Sequence, residues 1–220
     1  MVAARETEVL AVDPQEPDPR AIQRGAEVLL DGGLVALPTD TVYGLVCDPR
    51  LPEAVRQIYH VKGRSPDVPL ALLLHDMSQV SAEVEEIPES AVLAMQQFWP
   101  GALTVVLRDR SEATAAVRAG RDTIGLRLPA HVVPRLVAGN VGVPLASTSA
   151  NRSGEPAPTT AEGAVGQLAG LVQLVLDAGP APVRVESTVI TFAADPPRLL
   201  RAGAIPLARL REVLGEVREN

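Results

Sequence analysis

Aromatic side chains are scarce in this chain of 220 residues, at 2% of the total, with Trp99 the one tryptophan. That scarcity excludes a stacking platform of the kind that holds successive bases of a single strand. Cysteine is nearly absent: Cys47 stands alone, so neither an intrachain disulfide nor a cysteine-based zinc site can form. The histidines His60, His75 and His131 lie far apart and have no metal-ligand spacing. No apolar run approaches the length of about 20 residues that spans a bilayer. The charged segment 1–8 lacks the apolar core of a signal peptide. The expectation is a soluble, cytoplasmic protein in a reducing compartment, with no membrane partner.

Lysine is the other shortage. Of 20 basic residues, all but Lys62 are arginine. Lysine carries a compact point charge, whereas the arginine fork suits flat bidentate partners. A lone lysine in Lys62-Gly63-Arg64 therefore marks either a site that needs a point charge, such as a phosphate, or compositional noise. The formal net charge of −7 disfavours non-specific nucleic-acid binding, which depends on displacing counterions with basic side chains. Any bound anion must meet a local basic pocket.

Also missing are the familiar catalytic signatures. There is no P-loop, no Gly-x-Gly-x-x-Gly opening a helix, no Gly-x-Ser-x-Gly elbow, no His-Glu-x-x-His and no kinase set. No covalent nucleophile is advertised.

What is present is an interleaving of short strands and helices. Strands are expected over 7–12, 34–37, 70–74, 103–107, 123–128, 171–176, 187–192 and 198–200. Helices are expected over 20–31, capped by Asp18 with Pro19 in its first turn, and over 52–61, 88–98, 132–137, 161–169 and 205–214. The pattern predicts one α/β domain with a twisted, curved mixed sheet flanked by helices. Residues 1–208 are read as that domain and 209–220 as the end of the last helix and a tail.

Four segments set polar groups at strand ends, where open α/β sheets bind ligands. Pro38-Thr39-Asp40-Thr41-Val42-Tyr43-Gly44 brings hydroxyls onto a glycine-ended loop, or is an ordinary turn. Lys62-Gly63-Arg64 sets two cations across a glycine. In Thr123-Ile124-Gly125-Leu126-Arg127-Leu128-Pro129, strand alternation turns Thr123, Gly125 and Arg127 to one side and the apolar residues to the core. Arg127 then recognises a carboxylate or simply sits on a solvated face. Ser147-Thr148-Ser149-Ala150-Asn151-Arg152-Ser153-Gly154 is read as a loop whose hydroxyls form an anion cradle, with a flexible linker as the alternative. Glu186-Ser187-Thr188 and Arg201-Ala202-Gly203 complete the set, and Lys62, Arg64, Arg127 and Arg201 are expected to line one pocket.

Together with Trp99-Pro100-Gly101 and Leu200-Arg201-Ala202-Gly203, these motifs resemble, in order and spacing, the YrdC-like L-threonylcarbamoyladenylate synthases over residues 20–206. The resemblance implies a curved α/β domain with a concave substrate cavity. It implies a nucleotidyltransferase that converts L-threonine, bicarbonate and ATP to threonylcarbamoyl-AMP and pyrophosphate, for N6-threonylcarbamoyladenosine in tRNA. By motif, Lys62, Arg64, Thr123, Ser149, Asn151 and Arg201 would hold ATP, with Lys62 and Arg64 carrying the catalytic charge. Thr41, Tyr43, Arg127, Ser147 and Ser187 would hold threonine. Mg²⁺ would arrive with ATP, with no metal ligand from a protein side chain.

The product would pass to a tRNA threonylcarbamoyl-transferase complex. Direct RNA contact, and the choice between monomer and homodimer, stay open. Val68 stands where the family pattern has Asn or Lys, and Leu73 where it has His, with His75 two residues later. Ending soon after the last motif, the chain has the look of the single-domain form. The competing readings are a carbamoyl-adenylating domain and an RNA-binding module of the same fold.

Overall fold

The computed structural model describes residues 6–109 and 114–219, so most of the charged segment read at 1–8 lies outside the described residues. In chain order the strands are β1 (Glu8–Ala11), β2 (Val35–Leu37), β3 (Gly44–Cys47), β4 (Ala71–Leu73) and β5 (Leu103–Arg108), then β6 (Thr123–Arg127), β7 (Leu145–Ser149), β8 (Leu174–Asp177), β9 (Thr188–Thr191) and β10 (Arg198–Arg201). The helices are α1 (Pro19–Leu30), α2 (Pro52–Lys62), α3 (Val80–Glu83), α4 (Glu89–Phe98), α5 (Ala115–Arg118), α6 (Val132–Val141), α7 (Ala161–Leu168) and α8 (Leu207–Leu214).

Among the described residues the strands form one mixed sheet in the order β1-β8-β2-β3-β7-β4-β6-β5-β9-β10. Four pairs are parallel (β1–β8, β2–β8, β4–β6, β5–β9) and the others antiparallel, β2–β3, β3–β7 and β7–β4 in succession. Local chemistry sets the element ends. The Asp18 carboxylate accepts from the Arg20 backbone N–H, and Pro19 presets the first turn of α1. Gly63, at φ +61°, closes α2 in the left-handed region that only glycine adopts freely.

The two faces of the sheet are covered unequally. On one, Leu45, Leu72, Leu126 and Ala146 pack with residues of α2, α4, α7 and α8 in the larger core. On the other, α1 and α6 supply a smaller core over Val35, Leu37, Val46, Leu73 and Leu145. The remainder of that second face carries small residues. Ser147, Ala71, Gly125 and Val106 are successive cross-strand partners on β7, β4, β6 and β5. Three of the four are too small to fill the space above the sheet, and all four line a pocket there.

Three expectations need correction. The strand β3 was not anticipated; residues 44–47 pair back on β2 as a hairpin partner. The segment 147–154 is not wholly a loop, because Ser147, Thr148 and Ser149 belong to β7, sandwiched between β3 and β4. Hydroxyl residues read as loop formers there because their local preference is polar, and pairing on both edges overrides it. A 3-10 turn at Met77–Gln79 leading into α3 was also missed.

Candidate active site

The pocket has a volume of about 300 Å³ and is lined by nine of the eleven residues singled out from sequence. Thr41 and Tyr43 come from the loop before β3, Arg64 from the turn after α2, and Thr123 and Arg127 from β6. Ser147 and Ser149 come from β7, Ser187 from the start of β9 and Arg201 from β10. Segments up to 160 residues apart in sequence therefore meet on one patch of sheet.

Arg127 sits at the inner end. It is 6% exposed and held on three sides: Nε donates to the Gly101 carbonyl at 2.9 Å, Nη1 to Thr41 Oγ1 at 2.8 Å and Nη2 to Asp40 Oδ1 at 2.7 Å. A solvated-face reading of this arginine is thereby overturned. Burial pulls its pKa below the ordinary arginine value and the Asp40 carboxylate opposes that pull. Of five guanidinium N–H groups three are committed, which leaves one on each Nη. Asp40 also accepts from the Ala130 backbone N–H at 3.1 Å, which fixes the carboxylate itself. Sequence reasoning quoted Asp40 but gave it no role.

At the outer side, Arg201 donates through Nη2 and Nε to the Ser187 carbonyl at 2.8 and 3.2 Å, and through Nη1 to Glu186 Oε1 at 3.0 Å. The Ser187 hydroxyl pairs with Thr104 Oγ1 at 2.8 Å. Arg64 makes one side-chain contact, from Nη1 to Thr148 Oγ1 at 3.1 Å. Burial lowers its pKa, and the nearby Arg201 charge adds to that. Thr104, Thr148, Glu186 and Arg121 also line the pocket and were not singled out as site residues. Thr148 and Glu186 had a visible signal, since each lies within a motif already quoted.

Lys62 and Asn151 do not line the pocket; they brace its wall. The Lys62 ammonium, 4% exposed, donates to the Ser149 carbonyl, to the Asn151 carbonyl at 2.7 Å and to Asn151 Oδ1 at 3.1 Å. Asn151 in turn donates to Glu155 O at 2.6 Å and Arg152 O at 3.0 Å, and the Ser153 N–H bonds Lys62 O at 2.8 Å. The turn after β7 is thus an anchored one. Burial first, and the Arg64 charge second, push the lysine pKa down to about 8.

Tyr43 lines the pocket, yet its ring is fully buried and its hydroxyl donates to Gly179 O at 2.7 Å. Val68 and Leu73 line the pocket as apolar wall, while His75 lies outside the lining, its Nδ1 buried without a hydrogen-bond partner among the described residues.

The described residues contain no group of three or more His, Cys, Asp or Glu able to hold a metal. They contain no helix long and apolar enough to cross a membrane. The pocket's chemistry is that of hydroxyls and guanidiniums around a floor of small residues, suited to small polar anions.

The model of the Sua5/YciO/YrdC family, described as telomere recombination, matches residues 27–203. The chain belongs to that family. Within it, the chain is 40% identical to a threonylcarbamoyl-AMP synthase of Bacillus subtilis over 91% of its own length and 58% of the relative's. It is 39% identical to a putative threonylcarbamoyl-AMP synthase of Mycobacterium leprae, covering 93% of this chain and 94% of that one. A crystal structure of Pyrococcus abyssi Sua5 complexed with L-threonine superposes with a TM-score of 0.93 at 36% identity, covering 97% of this chain and 63% of that chain. The chain therefore spans a little under two thirds of the B. subtilis and P. abyssi family members.

Proposed function

We propose that this protein is an L-threonylcarbamoyladenylate synthase, forming threonylcarbamoyl-AMP and pyrophosphate from L-threonine, bicarbonate and ATP. The observation that carries the reading is the single pocket in which Arg127, Thr41, Ser147 and Ser187 meet Arg64, Thr123, Ser149 and Arg201. Relatives with this activity in their names, and a neighbour crystallised with L-threonine, support it.

Two N–H groups left on Arg127, one from each Nη, match the two oxygens of a threonine carboxylate. The hydroxyls of Thr41, Ser147 and Ser187 surround the remaining polar atoms of the amino acid. Arg64 and Arg201, with the hydroxyls of Thr123 and Ser149, hold the nucleotide. Lys62 acts from behind the wall, keeping the Ser149–Asn151 turn in place and adding its charge to that side.

The threonine amine adds carbon dioxide from bicarbonate to form a carbamate. A carbamate oxygen attacks the α-phosphorus and pyrophosphate leaves. No protein nucleophile takes part. Gathering three small reactants in attack geometry contributes several kcal/mol, on the order of 7 or more where alignment is good. Preoriented guanidiniums stabilise the charge that grows on the leaving pyrophosphate. Oxygen donors line the pocket and Glu186 is its one carboxylate among the described residues, a set that suits a hard cation held mainly by phosphate. Mg²⁺ entering with ATP would supply neutralisation of the triphosphate.

The product serves N6-threonylcarbamoyladenosine formation in tRNA and passes to a threonylcarbamoyl-transferase. Mass spectrometry of the product from ATP, threonine and bicarbonate tests the assignment: threonylcarbamoyl-AMP is expected. Pyrophosphate release that does not depend on threonine, or no release at all, overturns it. Carbamoyl phosphate as the required donor would favour the carbamoyl-adenylating reading, and RNA binding without turnover the RNA-binding one.

A further inference from the structure

The pocket-facing row on β6 does not end with the strand. Thr123, Gly125 and Arg127 line the pocket at a period of two, and one period back from Thr123 stands Arg121, which lines it too. Asp122, between them, is drawn to Arg108 at 3.3 Å. A single file of residues thus crosses the pocket with a guanidinium at each end. Five residues separate the two: Asp122, at a bend, and four residues of β6.

The two ends differ in kind. Arg127 is buried, ion-paired and hydrogen-bonded on three sides. Arg121 is exposed, and its side chain has no ion pair or hydrogen bond among the described residues. Nearby carboxylates are already engaged: Asp122 with Arg108, and Asp109 with Arg118. Of the four arginines that line the pocket, Arg127 and Arg201 have salt-bridge partners, whereas Arg64 and Arg121 have none among the described residues. Two guanidiniums without a salt bridge on one pocket of an acidic protein are the chemistry that takes a polyanion.

We propose that Arg121 binds the terminal phosphates of the nucleotide, so that β6 and the bend before it span both substrates, with the amino-acid carboxylate at Arg127 and the phosphate chain at Arg121. This rests on the reading of the pocket as a nucleoside-triphosphate site. It adds a residue that no motif pointed to, placed on the pocket by the bend that leads into β6.

The test compares wild type with Arg121→Ala, Arg121→Glu and, as a control for net charge alone, Arg20→Ala. Arg20 is exposed at the start of α1 and does not line the pocket. Calorimetric titration with ATP and with inorganic pyrophosphate is run at low and high salt, beside the threonine requirement in turnover. Arg121→Ala is expected to weaken ATP and pyrophosphate binding by about threefold to tenfold at low salt, the range of an exposed charge-assisted contact. Arg121→Glu weakens them further, and the loss shrinks as salt screens the contact. The threonine requirement and the Arg20→Ala protein stay near wild type. Unchanged binding in Arg121→Ala, or an equal loss in Arg20→Ala, overturns the proposal while leaving the pocket's assignment intact. A wild-type protein that binds neither ATP nor pyrophosphate overturns the nucleotide reading itself, and this inference with it.

Discussion

The Lys62 ammonium reaches across 89 positions of sequence to donate to both oxygens of Asn151, the carbonyl at 2.7 Å and Oδ1 at 3.1 Å. With its third donor on Ser149 O, the one lysine of the chain ties the end of α2 to the end of β7. Lys62→Ala leaves these buried acceptors unpaired. Stability should fall by about 1–3 kcal/mol in urea denaturation, and pyrophosphate release by about tenfold or more. A variant with wild-type stability and wild-type turnover would mean the tether has no consequence.

The same lysine makes a pH prediction. Burial holds its pKa near 8 in the folded chain, below the ordinary value of 10.5. Below the folded value both states carry the proton and the cost of the buried charge is present in full. Between the two values the unfolded chain binds more protons, so stability from this group rises with pH. The stability difference between wild type and Lys62→Met should therefore move in favour of wild type from about pH 8 to about pH 10. A flat or falling difference would contradict a lysine destabilised in its charged form.

Asp40 and Arg127 form an ion pair in which both side chains are below 10% exposed. Asp40→Ala strands the guanidinium, and breaking such a pair costs about 3–5 kcal/mol. Arg127→Met on top of Asp40→Ala removes the stranded charge and should recover part of that loss. Equal stabilities for the single and double variants would show that the cost lies elsewhere, for instance in the Ala130 contact.

Substrate assignment at the same residue is separable from stability. Arg127→Ala should raise the threonine requirement in turnover by more than it raises the ATP requirement. The reverse pattern would exchange the two subsites.

Gly203 tests how the outer wall is built. A Cβ there would stand 2.5 Å from Glu186 O, Ser187 C and Thr188 N, all main-chain atoms. Gly203→Ala must displace the Glu186–Thr188 backbone, on which Arg201 rests through Ser187 O. Overpacking of this kind costs about 1–3 kcal/mol. A melting temperature and ATP requirement equal to wild type would rule out the close approach.

Much of the fold was legible because its cues are local. Asp18-Pro19 starts α1, Gly63 ends α2, and the alternation of Thr123, Gly125 and Arg127 with apolar neighbours reads as a strand with one polar face. The ordered motifs also marked most of the segments that line the pocket. Hidden from that reading were facts of pairing. Gly44–Cys47 and Leu145–Ser149 pair with each other across about 100 residues of sequence, and the glycine and serines in them carry no strand preference of their own to announce it.

Residue types and spacing determined an α/β domain, an acidic protein with local cations, and the polar segments that belong together. Tertiary structure alone decided which cations are spoken for: Arg127 by Asp40, Arg201 by Glu186 and Lys62 by the turn it braces, with Arg64 and Arg121 on the pocket without a salt bridge among the described residues. The physical reason is distance. A charge's partner is set by what lies within a few ångströms in space, and a sheet that joins β3, β7, β4 and β6 as neighbours brings close what the chain keeps far apart.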